Sequence, residues 1–148
     1  ATRRASVADG LKALDADTDL VAIHDGARPF VTAKIIAKGI GAAQKGWASI
    51  AAVPVKSTTK VVNPKTGQVQ KTLERKTLFE VQTPQVFNKE ILLKAHQKIK
   101  MSNPGDDALL VERLGRKVKV VMGDYENIKI TTPEDMILAQ VILRKRRK

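Results

Sequence analysis

The 148 residues are 43% hydrophobic and contain no cysteine, which excludes a thiol nucleophile, a zinc–cysteine site and a disulfide scaffold. The 27 Lys and Arg residues outnumber the 15 Asp and Glu residues, and the resulting charge of +12 favours anionic partners. A single domain over residues 1–148 is expected at this length, and the lack of cysteine favours a reducing, cytoplasmic location. The longest apolar runs, such as residues 50–55, are well short of the ~18 residues of a membrane span, so no membrane partner is expected.

Nucleic acid is a weak candidate among the anionic partners. The five aromatic residues are few and scattered, which argues against a platform for base stacking. Residues 144–148 form the one basic run, which we interpret as a solvated, frayed tail. Nucleic-acid binding through this tail remains an alternative, and it predicts affinity that falls steeply with salt.

Helical and strand-like segments alternate along the first part of the chain. Apolar residues at helical spacing predict a helix starting at Ser6, which we place as its N-cap. The patterns that follow predict a buried strand over 20–23, a helix over 32–45 and a second buried strand over 49–53. This alternation is typical of an α/β sheet.

A polar hairpin interrupts the pattern. Residues 60–62 and 68–70 flank a turn signal at 63–67, and strands this polar do not belong to a core. We therefore predict an arm over about residues 57–82 that projects from the body of the domain.

The alternation resumes after the arm. Residues 88–100 and 106–114 predict helices, residues 117–122 predict a strand, and Thr132-Pro133 marks the start of a last helix. The fold class is therefore α/β, a mostly parallel, Rossmann-like sheet with a protruding β-hairpin arm. In such sheets ligands bind at the carboxyl ends of strands, here near Asp25 and after Val53.

Several residues admit two interpretations. Asp25 and Arg28 follow a predicted strand, and such a pair either binds a metal or sugar hydroxyls beside a phosphate, or forms a local ion pair in a turn. Lys129 is either a phosphate ligand or an exposed lysine. Arg75 is either a site residue or a surface charge, and Thr83 is either a site residue or part of a simple turn with the proline that follows it.

The remaining polar candidates point away from hydrolase chemistry. Asp106 and Asp107 are either paired catalytic carboxylates or residues that complement the dipole of a helix N-terminus. His24 and His96 are not spaced as a metal-binding pair, and no Ser-His-Asp set is recognisable.

Taken together, these segments carry a family resemblance. The matching stretches are residues 24–30, residues 52–58, Arg75 followed by 82–87, residues 106–108 and residues 123–135. In this order they resemble the 2-C-methyl-D-erythritol 4-phosphate cytidylyltransferase family of the non-mevalonate isoprenoid pathway. The resemblance implies transfer of a cytidylyl group from CTP to methylerythritol phosphate, with release of pyrophosphate and a requirement for Mg²⁺. It also implies a homodimer clasped through the arm, in the cytoplasm, or in a plastid if the source is a plant or alga.

The resemblance also implies roles for individual residues. Arg75 is expected to enter the active site of the partner subunit and, with Lys129, to position the acceptor phosphate as the catalytic pair. The residues expected to hold the methylerythritol part are Asp25, Arg28, Thr58 and Thr83. Ser6, Asp25 and Gly26 are expected at the nucleotide, with Asp25 as a metal ligand.

Two other functions remain open. The matching stretches belong to the C-terminal part of the family pattern, so the glycine-rich loop that cradles CTP lies outside these 148 residues. We therefore expect little or no turnover from these residues alone, and a non-catalytic dimerising fragment is one alternative. The other is a ribitol 5-phosphate cytidylyltransferase, which has the same fold and reaction but a linear acceptor.

Overall fold

The computed structural model describes residues 2–46, 48–101 and 104–147. Within these ranges the elements are α1 (Arg3–Lys12), β1 (Leu20–Ile23), α2 (Ala33–Gln44), β2 (Ala48–Pro54), β3 (Lys60–Val62), β4 (Val69–Thr72), a 3-10 turn (Arg75–Thr77), β5 (Phe79–Asn88), α3 (Lys89–Lys98), α4 (Asp107–Arg113), β6 (Val118–Met122) and α5 (Pro133–Arg146). No helix in this part of the chain is long and apolar enough to cross a membrane.

The main sheet has four strands in the order β1-β5-β2-β6. Strand β5 is antiparallel to both β1 and β2, whereas β2 and β6 are parallel. Three of the four strands therefore run in the same direction, and the predicted α/β class with a mostly parallel sheet is confirmed. Helix α2 packs on β5 and β2, and α3 with α4 lies against the same two strands.

Strand β5 was not predicted, and the interpretation of Thr83-Pro84 as a simple turn is wrong. Ile50 pairs with Gln85 and Ala52 pairs with Val81, so residues 82–84 bulge out of the ladder between the two pairs. Proline has no N–H to give to a ladder, and a bulge is one of the few places where a sheet accepts it. The bulge leaves the backbone and side chains of residues 82 and 83 free for contacts outside the sheet.

The hairpin of β3 and β4 forms a separate two-stranded sheet in which every residue is exposed. The predicted polar hairpin is therefore present, but the predicted limits of the arm are too wide. Strand β5 begins at Phe79, which pairs with Pro54, so residues 79–82 belong to the main sheet.

Two predictions about helix ends are also wrong. The N-cap of α1 is Thr2, whose Oγ1 accepts the N–H of Ala5 at 3.2 Å, and Ser6 lies inside the helix. At the other end of the chain, α5 continues to Arg146 rather than fraying at residue 144. Charged residues at the end of this helix contact a loop, as described below.

Among the described residues, many of the buried hydrophobic side chains belong to one of two clusters. The larger one lies between the sheet and the helices α1, α3 and α4, and its fully buried members include Phe87, Leu92 and Leu110. The smaller one consists of Phe30, Ala139 and Ile142, with Ile128 and Ile130 packed against it. Because this smaller cluster takes residues from two loops and from α5, it holds those two loops together.

Candidate functional site

Asp25 lies at the carboxyl end of β1 and is surrounded by cations. Its Oδ2 is 2.9 Å from Lys129 Nζ and 3.7 Å from Arg28 Nε, and its Oδ1 is 3.9 Å from Arg3 Nε. Burial alone would raise the pKa of Asp25, but the hydrogen bond from Lys129 and the charges of Lys129, Arg3 and Arg28 outweigh it and hold the pKa below its usual value. Arg3 also pairs with Asp107, so Lys129 and Arg28 are the cations best placed to meet an anionic ligand beside Asp25.

The loop that follows β1 is joined directly to the loop between β6 and α5. Arg28 Nη1 donates to the carbonyl of Asn127 at 2.8 Å, and the N–H of Ile130 donates to the carbonyl of Ala27 at 2.8 Å. Lys129 lies between these two bonds, which is why its ammonium group reaches the carboxylate of the other loop. The sequence places these segments about a hundred residues apart, and only the fold brings them together.

Residues of the β5 bulge form hydrogen bonds with both loops. The Thr83 hydroxyl accepts the N–H of Asp25 at 3.0 Å and lies 2.9 Å from His24 Nδ1. His24 Nε2 is 3.1 Å from the carbonyl oxygen of Arg28. Because a carbonyl oxygen can only accept a hydrogen bond, Nε2 is the ring nitrogen that carries the proton. The hydroxyl of Thr83 then donates to Nδ1.

The second loop is attached to the bulge through buried amides. Asn127 is fully buried and donates through Nδ2 to the carbonyl of Thr83 at 2.9 Å and to Gln82 Oε1 at 3.2 Å. Gln82 Nε2 in turn donates to the carbonyl of Asp124 at 2.8 Å. These hydrogen bonds attach the loop to the bulge at both Asp124 and Asn127.

Gly123 is required by close packing beside these amides. Its N–H donates to the carbonyl of Ala52 at 2.9 Å. A Cβ built on Gly123 would lie 2.4 Å from Gln82 Oε1 and 3.3 Å from the carbonyl oxygen of Ala52. Any side chain at this position would therefore displace Gln82.

Asp107 fixes the third cation of the site. Its side chain is 1% exposed, with Oδ1 2.9 Å from His96 Nε2 and Oδ2 2.7 Å from Arg3 Nη1. The neighbouring Arg4 ties α1 to the end of α3, donating to the carbonyls of His96 at 3.0 Å and Ile99 at 2.8 Å. Sequence reasoning missed Arg3 and His96 as site residues, because no local pattern connects α1, α3 and α4.

The two adjacent carboxylates at the start of α4 both make contacts within the fold. Asp106 Oδ1 caps the helix through the N–H of Leu109 at 2.9 Å, and its Oδ2 accepts from Gln85 Nε2 at 2.8 Å. Asp107 is occupied by the contacts described above. The interpretation as residues of a helix N-terminus is therefore the better one, with added contacts to β5 and α1.

Several of the charged and polar residues described above line an open cleft of about 540 Å³. Its walls include Arg3, Asp25, Arg28, Thr83, Gln85, Asp106 and Lys129. Of the predicted site residues, the fold therefore brings together Asp25, Arg28, Thr83 and Lys129. Gly26 is exposed beside Asp25 in the same loop.

Three predicted site residues lie outside the cleft. Arg75 is at the base of the hairpin, where its Nη1 donates to the carbonyl of Lys56 at 3.1 Å. Thr58 is exposed in the segment before β3. Ser6 is exposed on α1, one turn after Arg3, and its hydroxyl donates to the carbonyl of Thr2 at 3.4 Å.

The chemistry of the cleft follows from its charges. Its cations can hold phosphate oxygens, and the carboxylate of Asp25 can accept a hydrogen bond from a hydroxyl. The described residues contain no group of three or more His, Asp or Glu side chains able to enclose a metal ion. A ligand that carries both a phosphate and hydroxyl groups could use both kinds of contact.

Comparison with known proteins gives a consistent result. The family model described as 2-C-methyl-D-erythritol 4-phosphate cytidylyltransferase matches residues 1–145. Proteins of that name from Desulforamulus reducens and Caldanaerobacter subterraneus are 53% and 50% identical, each over 97% of this chain. The chain spans about three fifths of the length of these relatives, 62% and 63%.

Solved structures show the same similarity. The 4-diphosphocytidyl-2C-methyl-D-erythritol synthase of Anaerococcus prevotii matches with a TM-score of 0.86 and 40% identity, over 97% of this chain and 67% of that one. The 2-C-methyl-D-erythritol 4-phosphate cytidylyltransferase of Thermus thermophilus matches with a TM-score of 0.82 and 37% identity, over 97% and 70% of the two chains.

Proposed function

The chain belongs to the 2-C-methyl-D-erythritol 4-phosphate cytidylyltransferase family, and on that premise we propose that it takes part in cytidylyl transfer from CTP to methylerythritol phosphate. The observation that carries this proposal is the set of cations around Asp25. Lys129, Arg28 and Arg3 approach one carboxylate within 4 Å at the carboxyl end of a strand, which is where an α/β sheet binds ligands.

The proposed reaction needs these residue types. An oxygen of the acceptor phosphate attacks the α-phosphorus of CTP, the bond from that phosphorus to the β-phosphate oxygen breaks, and pyrophosphate leaves with the electron pair. The nucleophile is already an anion, so the reaction needs no strong base. Its barrier comes from bringing anions together, and fixed cations such as Lys129 and Arg28 lower that barrier.

Within the proposal, each residue keeps the role implied by the resemblance. Asp25, Arg28, Thr58 and Thr83 hold the acceptor, with Lys129 at its phosphate. Ser6 and Gly26 contact the nucleotide; support comes from Arg3, which lies one helical turn before Ser6 and lines the same cleft as Asp25.

The proposal includes Mg²⁺ held mainly by phosphates. Asp25 is the carboxylate offered to Mg²⁺ by the resemblance; because Lys129, Arg28 and Arg3 already lie within 4 Å of it, it could serve only as a single ligand, with phosphates supplying the others. Mg²⁺ usually retains several waters and binds one or two carboxylates together with substrate phosphates. When bound, it would neutralise charge on the phosphates of the nucleotide.

We also propose a homodimer in which the hairpin reaches a second subunit. All residues of β3 and β4 are exposed, including Val61, Val62 and Val69, and a partner would cover these valines. Arg75 contacts the base of its own hairpin and does not line the cleft of its own chain. Both observations favour a role for Arg75 in the partner's cleft. The cytoplasmic location expected from the absence of cysteine also belongs to this proposal.

The first experiment measures pyrophosphate release from CTP by the gene product that contains these residues. Methylerythritol phosphate should support turnover, and ribitol 5-phosphate should support less. A clear preference for ribitol 5-phosphate would make that compound the acceptor instead. Absence of turnover with both acceptors would overturn the proposed reaction.

A second experiment tests the role of the hairpin. Arg75→Ala and Lys129→Ala should each be inactive as pure homodimers. Mixing them gives mixed dimers with one intact site if Arg75 acts in the partner's cleft, so activity should recover to about a quarter of the wild-type value. No recovery, in a mixture shown to exchange subunits, would place Arg75 in its own cleft or outside the site.

A further inference from the structure

A charged cluster lies outside the cleft, at the end of α5. The carboxylate of Glu126 accepts from Lys145 Nζ through Oε1 and from Arg146 Nε through Oε2, the latter at 3.2 Å. The guanidinium of Arg146 also lies 5.3 Å from the centroid of the Phe30 ring. This is the basic run that the sequence indicated as a frayed tail.

The cluster connects the two loops of the cleft. Glu126 belongs to the loop that carries Asn127 and Lys129, whereas Phe30 follows Arg28 in the loop after β1. Arg146 therefore touches one residue from each loop. The end of α5 thus contacts both loops. The distance between these loops determines where Lys129 Nζ and the Arg28 guanidinium lie in the cleft.

The apolar contacts beneath the cluster join the same three segments. Phe30 packs with Ala139 and Ile142 of α5, and Ile128 and Ile130 of the second loop pack against them. The charged contacts lie above this small cluster, at the solvent-facing side. The apolar cluster holds α5 in place, and the ion pairs then determine how Glu126 and its loop are oriented.

The protonation equilibria agree with this geometry. The hydrogen bond from Lys145, followed by that from Arg146, holds the pKa of Glu126 below its usual value. The hydrogen bond to Glu126 raises the pKa of Lys145. Both groups are therefore charged across the neutral range.

We propose that Glu126, Lys145 and Arg146 form a clamp, defined by these three residues, that positions the loop of Lys129 against the loop of Arg28. The clamp touches no substrate and acts through the two loops. Its effect on turnover rests on the proposed function above, whereas its effect on loop order does not.

The expected effect is modest but measurable. Exposed ion pairs are weak individually, and a three-membered cluster with an aromatic contact is stronger than an isolated pair. We expect loss of the clamp to raise the KM for the acceptor by about 2–5-fold, which corresponds to weak ion pairs of this kind. The KM for CTP should change less, because Lys129 and Arg28 are assigned to the acceptor.

The test uses hydrogen–deuterium exchange of residues 123–131 together with steady-state kinetics, on the complete gene product. Glu126→Gln removes the carboxylate at the same size, and Arg146→Ala removes the guanidinium. Glu90→Gln is the matched control for the first, since Glu90 forms an exposed pair with Lys94 on α3. Arg144→Ala is the control for the second, since Arg144 is exposed on the same helix end.

The proposal expects faster exchange of residues 123–131 and a raised acceptor KM in both clamp variants, with neither change in the controls. Lys145→Arg, which keeps the charge, should behave as wild type. Unchanged exchange in Glu126→Gln, exchange accelerated equally throughout β2, or a normal acceptor KM would each overturn the clamp. Faster exchange confined to the loop, in a protein whose wild type releases no pyrophosphate, would support the clamp and overturn the proposed function.

Discussion

Replacing Asp107 by asparagine should destabilise the protein more than any other single change from carboxylate to amide that we consider. The side chain is 1% exposed; its Oδ1 accepts a hydrogen bond from His96 Nε2 at 2.9 Å, and its Oδ2 forms an ion pair with Arg3 Nη1 at 2.7 Å. Asparagine keeps one oxygen but turns the other position into a donor, which then faces a donor. A buried hydrogen bond to a charged group contributes ~1.5–3 kcal/mol, and leaving its partner unpaired adds a desolvation cost.

Arg3 reduces this magnitude because its side chain is 34% exposed and water can replace part of the lost contact. We therefore expect Asp107→Asn to lower the free energy of unfolding by about 2 kcal/mol, or roughly 4–8 °C in Tm for a chain of this size. Urea unfolding followed by circular dichroism measures the change.

The control is Asp9→Asn, which removes an exposed pair with Lys12 at 2.9 Å on α1. Exposed pairs contribute little, so this variant should unfold at nearly the wild-type urea concentration. If Asp107→Asn also unfolds at the wild-type midpoint with an unchanged m-value, the buried bridge contributes no stability and the reasoning is refuted. Equal losses in both variants would show that the effect comes from overall charge rather than from the bridge.

Two further changes test the centre of the site. Lys129→Met should raise the pKa of Asp25, because burial already raises it and the nearest opposing cation is lost; carboxyl carbon NMR of both proteins measures it. In the wild type, ionised Asp25 stabilises the fold at pH values above its unfolded pKa of 3.8, and this stabilisation is lost as the pH falls through the lower folded pKa. The variant should therefore lose less stability on acidification. An unchanged Asp25 pKa would contradict this account. Gly123→Ala should lower the free energy of unfolding in urea by about 2–3 kcal/mol, because the new Cβ displaces Gln82 from its hydrogen bonds. The control Gly41→Ala lies in open space on α2 and should not destabilise the protein. Equal effects of the two substitutions would contradict the close-packing argument.

Local patterns predicted most of the elements, because their signals lie within a few residues. The cap at Thr132 with Pro133 marks the start of α5, and the turn signal at 63–67 marks the β3–β4 hairpin, as the structure confirms. Strand β5 was missed because Pro84 argues against a strand in any local analysis. Its bulge depends on pairing with β2, which lies about 30 residues earlier in the chain.

The candidate site likewise has one part that the sequence predicted and another part that it did not. The segments around Asp25 and Lys129 were recognisable as they stand in the sequence, and the α/β pattern predicted that ligands bind near Asp25. The contributions of Arg3 and His96 were not recognisable, because they depend on how α1 and α3 pack around Asp107. The interpretation of the basic run as a frayed tail was wrong, because the helix α5 runs to Arg146, whose side chain contacts Glu126.

The sequence by itself determined the alternation of helices and strands, the polar hairpin, the family and the residues offered to the site. Capping, periodicity and turn chemistry act over a few residues, so a single sequence contains them in full. The tertiary structure decided which of these residues meet, namely that Lys129 reaches Asp25, that Asp107 pairs with Arg3, and that the end of α5 contacts Glu126. Those contacts arise when buried apolar surface brings distant segments together, and the polar groups carried along must then be satisfied by whatever lies beside them.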